Sequence, residues 1–559
     1  MKKVLILLLL FFHLSQGKTI TVFFTNDEHG SLLPKDYAYN KIRDNSMASI
    51  ASLIKKYRAQ FPHSILLSGG DTFQGNPAAF YYHYIDSTKS YPLLDAMNLL
   101  EYDGFVIGNH DVEQGVPFLK KIAEKADFPF LSANAFIIGT DSTAFQPYII
   151  KTIDGIKMAI LGLTTPGIPL WLDQSLYENI EFRDMTESAK FWLKKIKTEH
   201  QPDIIIGLFH SGLNEEWDKE YCEQRDIPLA NASYQTAQEC QEFDLIITGH
   251  SHRLVNDTIN EEFEDKQVSN TIGRVKVTQA KAYCQYLGIS HIVLEKNEAG
   301  NYYVDTVMIE TVSSKELPPD SAFMEKFNYV NEDLDKYMTK VLTHLTIENF
   351  SSPGVIQDLA LTDLIHRAQL KASKADLSIA SNFSPYQQLK SGPVTVSDIF
   401  QLYKYENTLI TTELSGKQIK DYLEFNSRYY HQVPENAQTV SYKETINQDI
   451  RSYNFDTFEG LAYTIDISKP IGERICIDSL TNGEKFQMEK KYTVAMNNYR
   501  FNGGGGFISS LNLNNLPKLN ESSYFIRDII IDYLSEKQNL TVEANSNWKI
   551  IPENLTWKK

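Results

Sequence analysis

Residues 104–115 read GFVIGNHDVEQG, an apolar run that stops at Gly108 and continues with Asn109, His110 and Asp111. A short apolar run bounded by glycine is typical of a buried β-strand. In α/β proteins, side chains that directly follow such a strand lie at the edge of the sheet where ligands bind. The stretch therefore predicts a functional loop at the end of a buried strand.

Four other apolar runs end in the same way, and they read TVFFTNDEHG, SILLSGGDTFQGNP, DIIIGLFHSG and DLIITGHSH. From Lys18 to about Thr311 such runs alternate with longer amphipathic stretches, which is the pattern of an α/β layered domain. Loops that follow neighbouring strands meet at one edge, so their polar side chains are predicted to converge. Those side chains are Asp27, His29, Asp71, His210, His250 and His252.

Asp, Asn and His side chains together are typical ligands of divalent transition ions such as Mn²⁺, Zn²⁺, Fe²⁺ or Co²⁺. Residues two apart in an extended chain point the same way, so Asp27 with His29, and His250 with His252, are predicted chelating pairs. The number of candidate ligands favours two ions, and Asp71 is the natural carboxylate to be shared between them.

Length and charge narrow the class of protein. A chain of 559 residues is longer than one hydrophobic core usually serves, so two domains are expected. A formal net charge of −17 argues against binding a nucleic-acid polymer and leaves a small anionic substrate. The four cysteines are scattered, and none has a metal-binding spacing.

The N-terminus reads MKKVLILLLLFFHLSQG, with two lysines, an apolar stretch and small residues before Gly17. This is the pattern of a secretory signal peptide. The apolar stretch is shorter than the roughly 20 residues that a spanning helix needs, so a membrane anchor is the weaker interpretation. We expect cleavage near Gly17 and an exported protein, periplasmic or secreted, without a membrane anchor and monomeric by default.

After the stretch KELPPD, apolar residues recur at steps of three and four from Phe323 to Val341, which predicts a helix that connects two domains. Beyond about Leu342, helical and strand signals mix, and this region is predicted to form a second domain. Its closing stretch NNLPKLNESSYFIRDIIIDYLSEK is predicted to be helical after Asn520 and Glu521.

The motifs D-x-H, G-G-D-x-x-x-G, G-N-H-D, H-S-G and G-H-S-H follow one another in this order and resemble those of calcineurin-like metallophosphoesterases. The resemblance implies that His110 faces the substrate as a catalytic residue. In related 5′-nucleotidases an Asp three residues later orients this His; here that position is Glu113, with Asp111 as the other candidate. The resemblance to calcineurin-like metallophosphoesterases also implies two metal ions. One ion is held by Asp27, His29, Asp71 and His252, and the other is held by Asp71, Asn109, His210 and His250.

Three stretches of the second domain resemble the C-terminal domain of 5′-nucleotidases: YKYENTL at 403–409, YNFDTFEGLAYTIDISKPIGERI at 453–475 and NNYRFNGGGGF at 497–507. By that resemblance, the aromatic rings that clamp a nucleobase are those of Tyr405 and Tyr499. The glycine run is interpreted as letting the backbone approach the flat base, with Asn498 and Arg500 as polar contacts. Asn382 of IASNFSPYQQL stands in the loop where 5′-nucleotidases carry an Arg.

The resemblance implies an α/β fold, namely a four-layer calcineurin-like metallophosphoesterase sandwich followed by a smaller α+β nucleotide-specificity domain. The expected organisation is a signal peptide over 1–17, the dimetal domain over 18–315, a linker helix over 316–341 and the substrate-binding domain over 342–559.

The tyrosine motifs and the G-H-S-H ending look closer to the 2′,3′-cyclic-nucleotide 2′-phosphodiesterase/3′-nucleotidases than to the 5′-nucleotidase/UDP-sugar hydrolases. The expected substrate is therefore a mononucleotide or cyclic nucleotide. Three alternatives stay open: a 5′-nucleotidase/UDP-sugar hydrolase, a hydrolase of a sulfur-linked substrate with the same fold, and a non-catalytic nucleotide-binding surface protein.

Overall fold

The structure is a computed structural model. It describes residues 17–558 apart from 214–218, 220–221, 224–226, 262–268, 348–352, 382, 384–388, 514–515 and 554. The predicted signal peptide, except for Gly17, and the candidate substrate contact Asn382 therefore lie outside the described residues. Within these ranges no helix is both long and apolar enough to cross a lipid bilayer.

The chain divides into two compact units, the first running to Leu334 and the second from Asp335 onward, with Leu170–Leu172 grouped with the second. The strands of the first unit follow one another as β1 Lys18–Thr25, β2 Lys35–Asp36, β3 Lys41–Ile42, β4 Ser64–Ser68, β5 Gly104–Val106, β6 Phe130–Leu131, β7 Ala135–Ile137, β8 Tyr148–Ile153, β9 Ile156–Thr164, β10 Ile180–Phe182, β11 Ile204–His210, β12 Leu245–Thr248, β13 Leu254–Val255, β14 Thr271–Ile272, β15 Val275–Ala280, β16 Tyr286–Lys296 and β17 Tyr302–Ser313.

Two mixed sheets form the centre of the first unit. One has the strand order β17-β16-β1-β4-β5-β6, in which β1, β4, β5 and β6 run parallel. The other has the order β13-β15-β12-β11-β9-β8, with β14 paired to β15, and its strands β15, β12, β11 and β9 run parallel. The pairs β2–β3 and β7–β10 form separate small antiparallel ribbons.

Helices cover the outer faces of the two sheets. Met47–Gln60 packs on β16, and Met185–Glu199 packs on β9. Both begin at a capping residue, since the side chains of Ser46 and Asp184 accept hydrogen bonds from backbone N–H groups of the first turn. The other helices are Pro77–Phe80, Pro92–Leu99, Asn109–Val112, Val116–Ala123, Ile168–Trp171, Ser233–Glu239 and Ser321–Lys326, with a π-helix at Tyr81–Ile85 and 3₁₀ turns at Gln174–Tyr177 and Ser314–Glu316.

Alternation along the strands explains this layering. In β11, Ile206 joins a buried cluster that includes Val22 of one sheet and Ile247 of the other, so the two sheets face each other across it. The intervening residue Ile205 packs instead with Trp192 of the outer helix. Because successive strand residues point to opposite faces, one apolar strand fills both layers. The four-layer α/β sandwich expected from the sequence is confirmed.

The predicted linker helix over 316–341 is interrupted. The structure has Ser321–Lys326 and then Asn328–Met338, with Phe327 between them in a non-helical conformation (φ −101°, ψ 12°). Both segments keep the apolar stripe on which the prediction rested, since Phe323, Phe327 and Val330 are buried. The boundary between the two units falls inside the second segment.

The strands of the second unit are β18 Val341–Ile347, β19 Leu377–Ser381, β20 Gly392–Thr395, β21 Thr408–Ser415, β22 Thr439–Ser441, β23 Asp456–Glu459, β24 Leu461–Asp466, β25 Ile475–Leu480, β26 Lys491–Asn497, β27 Asn520–Phe525, β28 Asn539–Val542, β29 Trp548–Ile551 and β30 Thr556–Lys558. They form sheets with the orders β23-β19-β26-β21-β27, β20-β18-β28, β25-β24-β29 and β22-β30. The helices are Ala360–Ser373, Val396–Leu402, Gly416–Asn426, Tyr442–Thr445, Asn498–Phe501, Phe507–Ser510 and Ile526–Ser535, with 3₁₀ turns at Ser427–Tyr429, Ser452–Asn454 and Gly504–Gly506.

One sequence prediction for this unit is wrong. The chain after Asn520 was expected to be helical, but residues Asn520–Phe525 form an edge strand, and the helix begins only at Ile526. The strand pairs with β21, where Thr408 lies opposite Phe525. Its hydrogen bonds come from a segment more than a hundred residues earlier, which a local pattern does not reveal.

Candidate metal centre and nucleotide-binding residues

The candidate ligands of the first unit all lie at the carboxyl ends of strands. In one sheet β1, β4 and β5 are parallel, and in the facing sheet β11 and β12 are parallel neighbours. The loops after β1, β4, β5 and β12, and the last residue of β11, therefore reach one edge of the sandwich. They carry, in chain order, Asp27 and His29, Asp71, Asn109, His210, and His250 and His252.

One group of possible ligands consists of Asp27, His29 and His252. The Nε2 atoms of the two imidazoles lie 3.0 Å apart, and Asp27 Oδ1 lies 3.6 Å from His252 Nε2. Asp27 and His29 are buried, and burial lowers the pKa of His29 well below its usual range. Two imidazoles that aim their nitrogens at one point beside a carboxylate are arranged as ligands of a cation.

A second group consists of Asp71, His210 and His250. Asp71 Oδ2 lies 3.0 Å from His210 Nε2. Asn109 Oδ1 joins this group, at 2.8 Å from His250 Nδ1 and 3.2 Å from His210 Nε2. The structure thus brings together the seven side chains that the strand-end pattern singled out.

The imidazole of His210 is fixed by a backbone carbonyl. Its Nδ1 lies 2.7 Å from Gly69 O, which can only accept, so Nδ1 carries a hydrogen and Nε2 faces the site. Burial lowers the pKa of His210, but the Asp71 carboxylate outweighs this effect and raises the pKa to about 9. Asp71 and His210 therefore attract each other strongly at the centre of the site.

The donor set fits a divalent cation. Asp71 Oδ2 is buried and, among the described residues, makes no hydrogen bond, although His210 Nε2 lies close to it. Its partner oxygen Oδ1 accepts from the backbone N–H of His110 at 2.8 Å. A buried carboxylate oxygen that makes an ion-pair contact but no hydrogen bond is left with an acceptor site that a cation can fill. Mixed carboxylate, amide and imidazole ligation suits transition ions.

Five candidate ligands have left-handed backbone conformations, which is rare for residues other than glycine. Such conformations cost of order 1–3 kcal/mol each and persist where surrounding contacts over-determine them, typically at functional sites. The residues and their φ angles are Asp27 52°, His29 43°, Asp71 56°, His250 74° and His252 58°.

Asp111 is not the residue that orients His110, although the sequence left it as one of two candidates. Its carboxylate is fully buried and accepts four backbone N–H groups. Two come from Asp71 and Gly108 at 2.8 Å, and two come from Thr72 at 2.9 Å and Phe73 at 3.0 Å. These bonds occupy both oxygens, so Asp111 holds the loop that carries Asp71.

Gly108 completes the same loop contact. A Cβ atom at this position would lie 2.1 Å from Asp71 Oδ1, and no heavy atom can approach that closely. The glycine that ends the apolar run of β5 is therefore required by the close approach of Asp71.

Glu113 contacts His110 instead. His110 Nδ1 lies 2.6 Å from Glu113 Oε1, which leaves Nε2 as the outward nitrogen of a side chain that is 34% exposed. Burial lowers the pKa of His110, but Glu113 and Asp71 outweigh it and raise the pKa to about 10. The imidazole is thus oriented and favoured in its protonated form.

Sequence reasoning missed Glu28, the middle residue of the D-x-H motif. Its carboxylate is fully buried and accepts hydroxyl hydrogen bonds from Thr72 at 2.6 Å, from Ser68 at 3.0 Å and from Thr25. Burial raises its pKa, while these hydroxyls act in the opposite direction. Glu28 ties the loop after β1 to the loop after β4, a role that the motif's variable position did not signal.

The two candidate clamp tyrosines belong to stretches joined in the second unit. Strands β21 and β26 are antiparallel, with Leu409 opposite Asn497. Tyr405 precedes β21 and Tyr499 follows β26, so both lie near the same end of this strand pair. Tyr405 is 45% exposed, and Tyr499 is half-buried.

Asn498 connects these stretches instead of facing outward. Its Oδ1 accepts from Asn407 Nδ2 at 3.0 Å and from the backbone N–H of Tyr499 at 2.9 Å, and the residue is only 9% exposed. The predicted substrate contact through Asn498 Oδ1 is therefore already occupied by the protein.

Arg500 is likewise not placed as a substrate contact, because it is only 1% exposed. Its Nε lies 2.8 Å from Asp456 Oδ2, its NH1 nitrogen donates to Gly504 O at 2.5 Å, and its NH2 nitrogen donates to Tyr453 O at 3.0 Å. Asp456 outweighs burial and raises the guanidinium's pKa further. Arg500 is a buried structural cation.

The glycine run seats a tyrosine ring. A Cβ atom on Gly504 would lie 2.4 Å from two ring carbons of Tyr499, and one on Gly505 would lie 2.1 Å from the NH1 nitrogen of Arg500. The sequence predicted that this run would admit a flat base. The structure uses Gly504 to admit the ring of Tyr499.

The fold and the site define a metal-dependent phosphoester hydrolase, and comparison with known proteins agrees. Residues 20–254 match the calcineurin-like phosphoesterase family, and residues 339–511 match the 5′-nucleotidase C-terminal domain. The chain therefore matches a calcineurin-like phosphoesterase domain followed by a 5′-nucleotidase C-terminal domain.

Relatives align along nearly the whole chain. The trifunctional nucleotide phosphoesterase YfkN of Bacillus subtilis is 27% identical over 96% of this chain, which spans 39% of that relative's length. The 2′,3′-cyclic-nucleotide 2′-phosphodiesterase/3′-nucleotidase of Haemophilus influenzae is 26% identical, covering 97% of this chain and 89% of that protein. A candidate 5′-nucleotidase from Staphylococcus aureus, solved with alpha-ketoglutarate, shares the fold with a TM-score of 0.75 and 22% identity over 95% of this chain and 100% of that one.

Removal of Asp71 tests the shared position of its carboxylate. The Asp71→Ala protein is expected to lose affinity for both cations and to lose activity. The Asp71 carboxylate belongs to the second group of ligands and is proposed to bind the cation of the first group as well. Metal content after dialysis, measured by mass spectrometry, checks this. Retention of two tightly bound ions would contradict the assignment.

Removal of Glu113 tests the protonation of His110. In Glu113→Gln the carboxylate that raises the pKa of His110 is gone, so the pKa falls and the protonated form is lost at lower pH. The basic limb of the kcat/KM profile is expected to move to lower pH, with metal content unchanged. As a control, His110→Ala should lower kcat by about 10²–10⁴-fold at every pH and also keep its metals. An unmoved basic limb would exclude this role for Glu113.

Proposed function

We propose that the protein hydrolyses 2′,3′-cyclic nucleotides and 3′-nucleotides outside the cytoplasm. The observation that carries the proposal is the pair Tyr405 and Tyr499, which flank paired strands and remain partly accessible. Aromatic faces of this kind bind nucleobases by stacking. The Haemophilus influenzae relative bears the name of this activity, and its alignment covers nearly the whole chain.

The metal centre would supply the hydrolytic chemistry. Asp27, His29 and His252 would hold one cation, and Asn109, His210 and His250 would hold the other, with Asp71 shared. When bound, two divalent cations activate water and balance the negative charge of a phosphate. We propose Mn²⁺, Zn²⁺, Fe²⁺ or Co²⁺ on the basis of the ligand types.

His110 would contact the reacting phosphate. Glu113 holds its Nδ1, so the outward Nε2–H is free to donate to a phosphoryl oxygen or to the leaving oxygen. Glu113 and Asp71 act against the effect of burial and raise the pKa of His110, which favours the protonated imidazole. This arrangement stabilises charge that develops during the reaction, which is the property that distinguishes catalysis from binding.

The preference for the 2′ and 3′ positions rests on the second unit. The loop that contains Asn382 has no arginine between Ile379 and Leu389, whereas 5′-nucleotidases carry an Arg there that helps hold the nucleotide. Without that cation, the second unit is proposed to hold a nucleotide through its base. The tyrosine motifs also resemble those of the 2′,3′-cyclic-nucleotide phosphodiesterases, which supports the same preference for the 2′ and 3′ positions.

The principal alternative is a 5′-nucleotidase/UDP-sugar hydrolase. It is supported by the match of residues 339–511 to the 5′-nucleotidase C-terminal domain. A non-catalytic binding protein is disfavoured because the ligand set and the His110–Glu113 pair are intact. A sulfur-linked substrate is disfavoured by the two accessible tyrosines.

Export is part of the proposal. Its support is the sequence MKKVLILLLLFFHLSQG, which has the charge and apolar pattern of a secretory signal. We propose that the exported protein, periplasmic or secreted, is a monomer and acts on nucleotides for phosphate and nucleoside salvage.

The clamp is tested by removing each ring. Tyr405→Ala and Tyr499→Ala are expected to raise KM for nucleotides about tenfold or more, because stacking contributes roughly 1–3 kcal/mol per base. Hydrolysis of a small aryl phosphodiester, which has no base, should change little. Tyr303→Ala, which removes an exposed tyrosine of β17, is the matched control. Equal losses on both kinds of substrate would show that the rings only support the fold.

The position of attack is tested by a substrate panel. Side-by-side values of kcat/KM for 2′,3′-cyclic AMP, 3′-AMP, 5′-AMP and a UDP-sugar are expected to rank the first two highest. A base held by two rings presents one edge of the ribose, so a single geometry does not serve all four equally. A clear preference for 5′-AMP would establish the alternative and leave the metal chemistry unchanged.

A further inference from the structure

Tyr283 lies between β15 and β16 and packs against two candidate metal ligands. Its ring centroid is 5.2 Å from that of His29, with the planes tilted by 37°, and 5.7 Å from that of His252 in an edge-on arrangement. The two imidazoles are themselves 4.9 Å apart. One tyrosine ring therefore contacts both histidines of a single cation group.

The loop that carries Tyr283 is bonded to the loop that carries Asp27. The backbone N–H of Tyr283 donates to Asp27 O at 2.7 Å. Asn26 adds two bonds, accepting from the backbone N–H of Ala280 at 2.8 Å and donating to Lys281 O at 2.5 Å. The position of the ring relative to His29 is thus fixed by the backbone and not by a flexible surface contact.

The same loop has a left-handed backbone at Lys281 (φ 65°), Tyr283 (φ 57°) and Cys284 (φ 56°). Three such residues within four positions are unfavourable without compensation. Cys284 is buried, and the Asn26 bonds hold the start of the loop. The contacts that hold these backbone conformations also fix the position of the Tyr283 side chain.

The two cation groups differ in how their imidazoles are oriented. His210 is held by a hydrogen bond from Nδ1 to Gly69 O. Across the described ranges, the structure gives neither His29 nor His252 a comparable bond from Nδ1; their hydrogen-bond contact is between the two Nε2 atoms. Ligating histidines normally need such a partner to fix the ring. The ring of Tyr283 packs against both of these imidazoles.

Tyr283 contacts the two histidines through its ring and not through its hydroxyl group. Among the described residues the hydroxyl forms no hydrogen bond, and the side chain meets the histidines through its aromatic face and edge. Offset and edge-on contacts between rings are favourable and depend on the relative orientation of the rings. The contacts therefore bias the orientation of the two imidazoles.

We propose that Tyr283 is a positioning residue for the cation held by Asp27, His29 and His252, and that it acts through its ring. The inference rests on the metal centre of the proposed function but not on the identity of the substrate. It distinguishes the two cations, because no such ring contact joins Tyr283 to His210 or His250 in the described part of the chain.

The experiment titrates metal-free full-length protein with Mn²⁺ by calorimetry and by electron paramagnetic resonance. The wild type is expected to bind two ions and to show the spectrum of a coupled pair. Tyr283→Ala is expected to keep one site and to weaken the other by about 10–100-fold, the usual effect of losing an orienting partner. Its spectrum at low Mn²⁺ should be that of an isolated ion. Tyr283→Phe should restore both sites.

Two controls separate this role from general support of the fold. Tyr303→Ala should bind two ions as the wild type does, and the Tm of each metal-free variant is measured alongside. If Tyr283→Ala does not fold, Tyr283→Leu, which keeps apolar volume without a planar ring, carries the same expectation of one weakened site.

Three results would overturn the inference. Unchanged binding of two ions by Tyr283→Ala excludes a positioning role, and equal weakening of both sites with a lower Tm shows structural support alone. Failure of Tyr283→Phe to restore binding assigns the effect to the hydroxyl. Because no nucleotide is used, a wild-type protein that hydrolyses none of the nucleotide panel would refute the proposed function while a selective loss in Tyr283→Ala still supports the inference.

Discussion

The candidate metal centre depends on one buried carboxylate, that of Asp111. It accepts backbone N–H groups from Asp71, Thr72, Phe73 and Gly108, and so closes the loop after β4 onto the loop after β5. A carboxylate removed from water is strongly unfavourable unless such donors replace its hydration. Once they do, the position of Asp71 follows from the backbone, and the ligands from two sheets are arranged around it.

This arrangement explains why strained backbone collects at the site. The left-handed conformations of Asp71 and of His250 each oppose folding by of order 1–3 kcal/mol. The buried networks around Asp111 and Glu28 hold these loops from behind, and a cation would add its own attraction for Asp71 Oδ2 from the front. The hydrogen bonds of Asp111 and Glu28 thus hold the ligand-bearing loops in the geometry that a metal centre requires.

The sequence predicted what is local and periodic. The strand-end pattern located seven candidate ligands because a buried strand and the polar residue after it are adjacent in the chain. It did not reveal the roles of Asp111 and Arg500, since the partners of these charges are backbone groups and an aspartate 44 residues away. The local pattern at Asn520–Phe525 predicts a helix and misses the strand for the same reason, because β21 supplies the strand's hydrogen bonds.

The two units use the same physical device. In each, a charged residue of a motif is buried and bonded to the protein, while its neighbour in the sequence is partly exposed. In the first unit Asp111 is engaged by the backbone and His110 is 34% exposed. In the second, Arg500 is paired with Asp456 and the adjacent Tyr499 is half-buried. Breaking a buried ion pair such as Arg500–Asp456 costs roughly 3–5 kcal/mol. The charged residue of each motif therefore positions a loop. A charged residue within a motif therefore indicates a site without contacting what binds there, because its partners are groups of the protein.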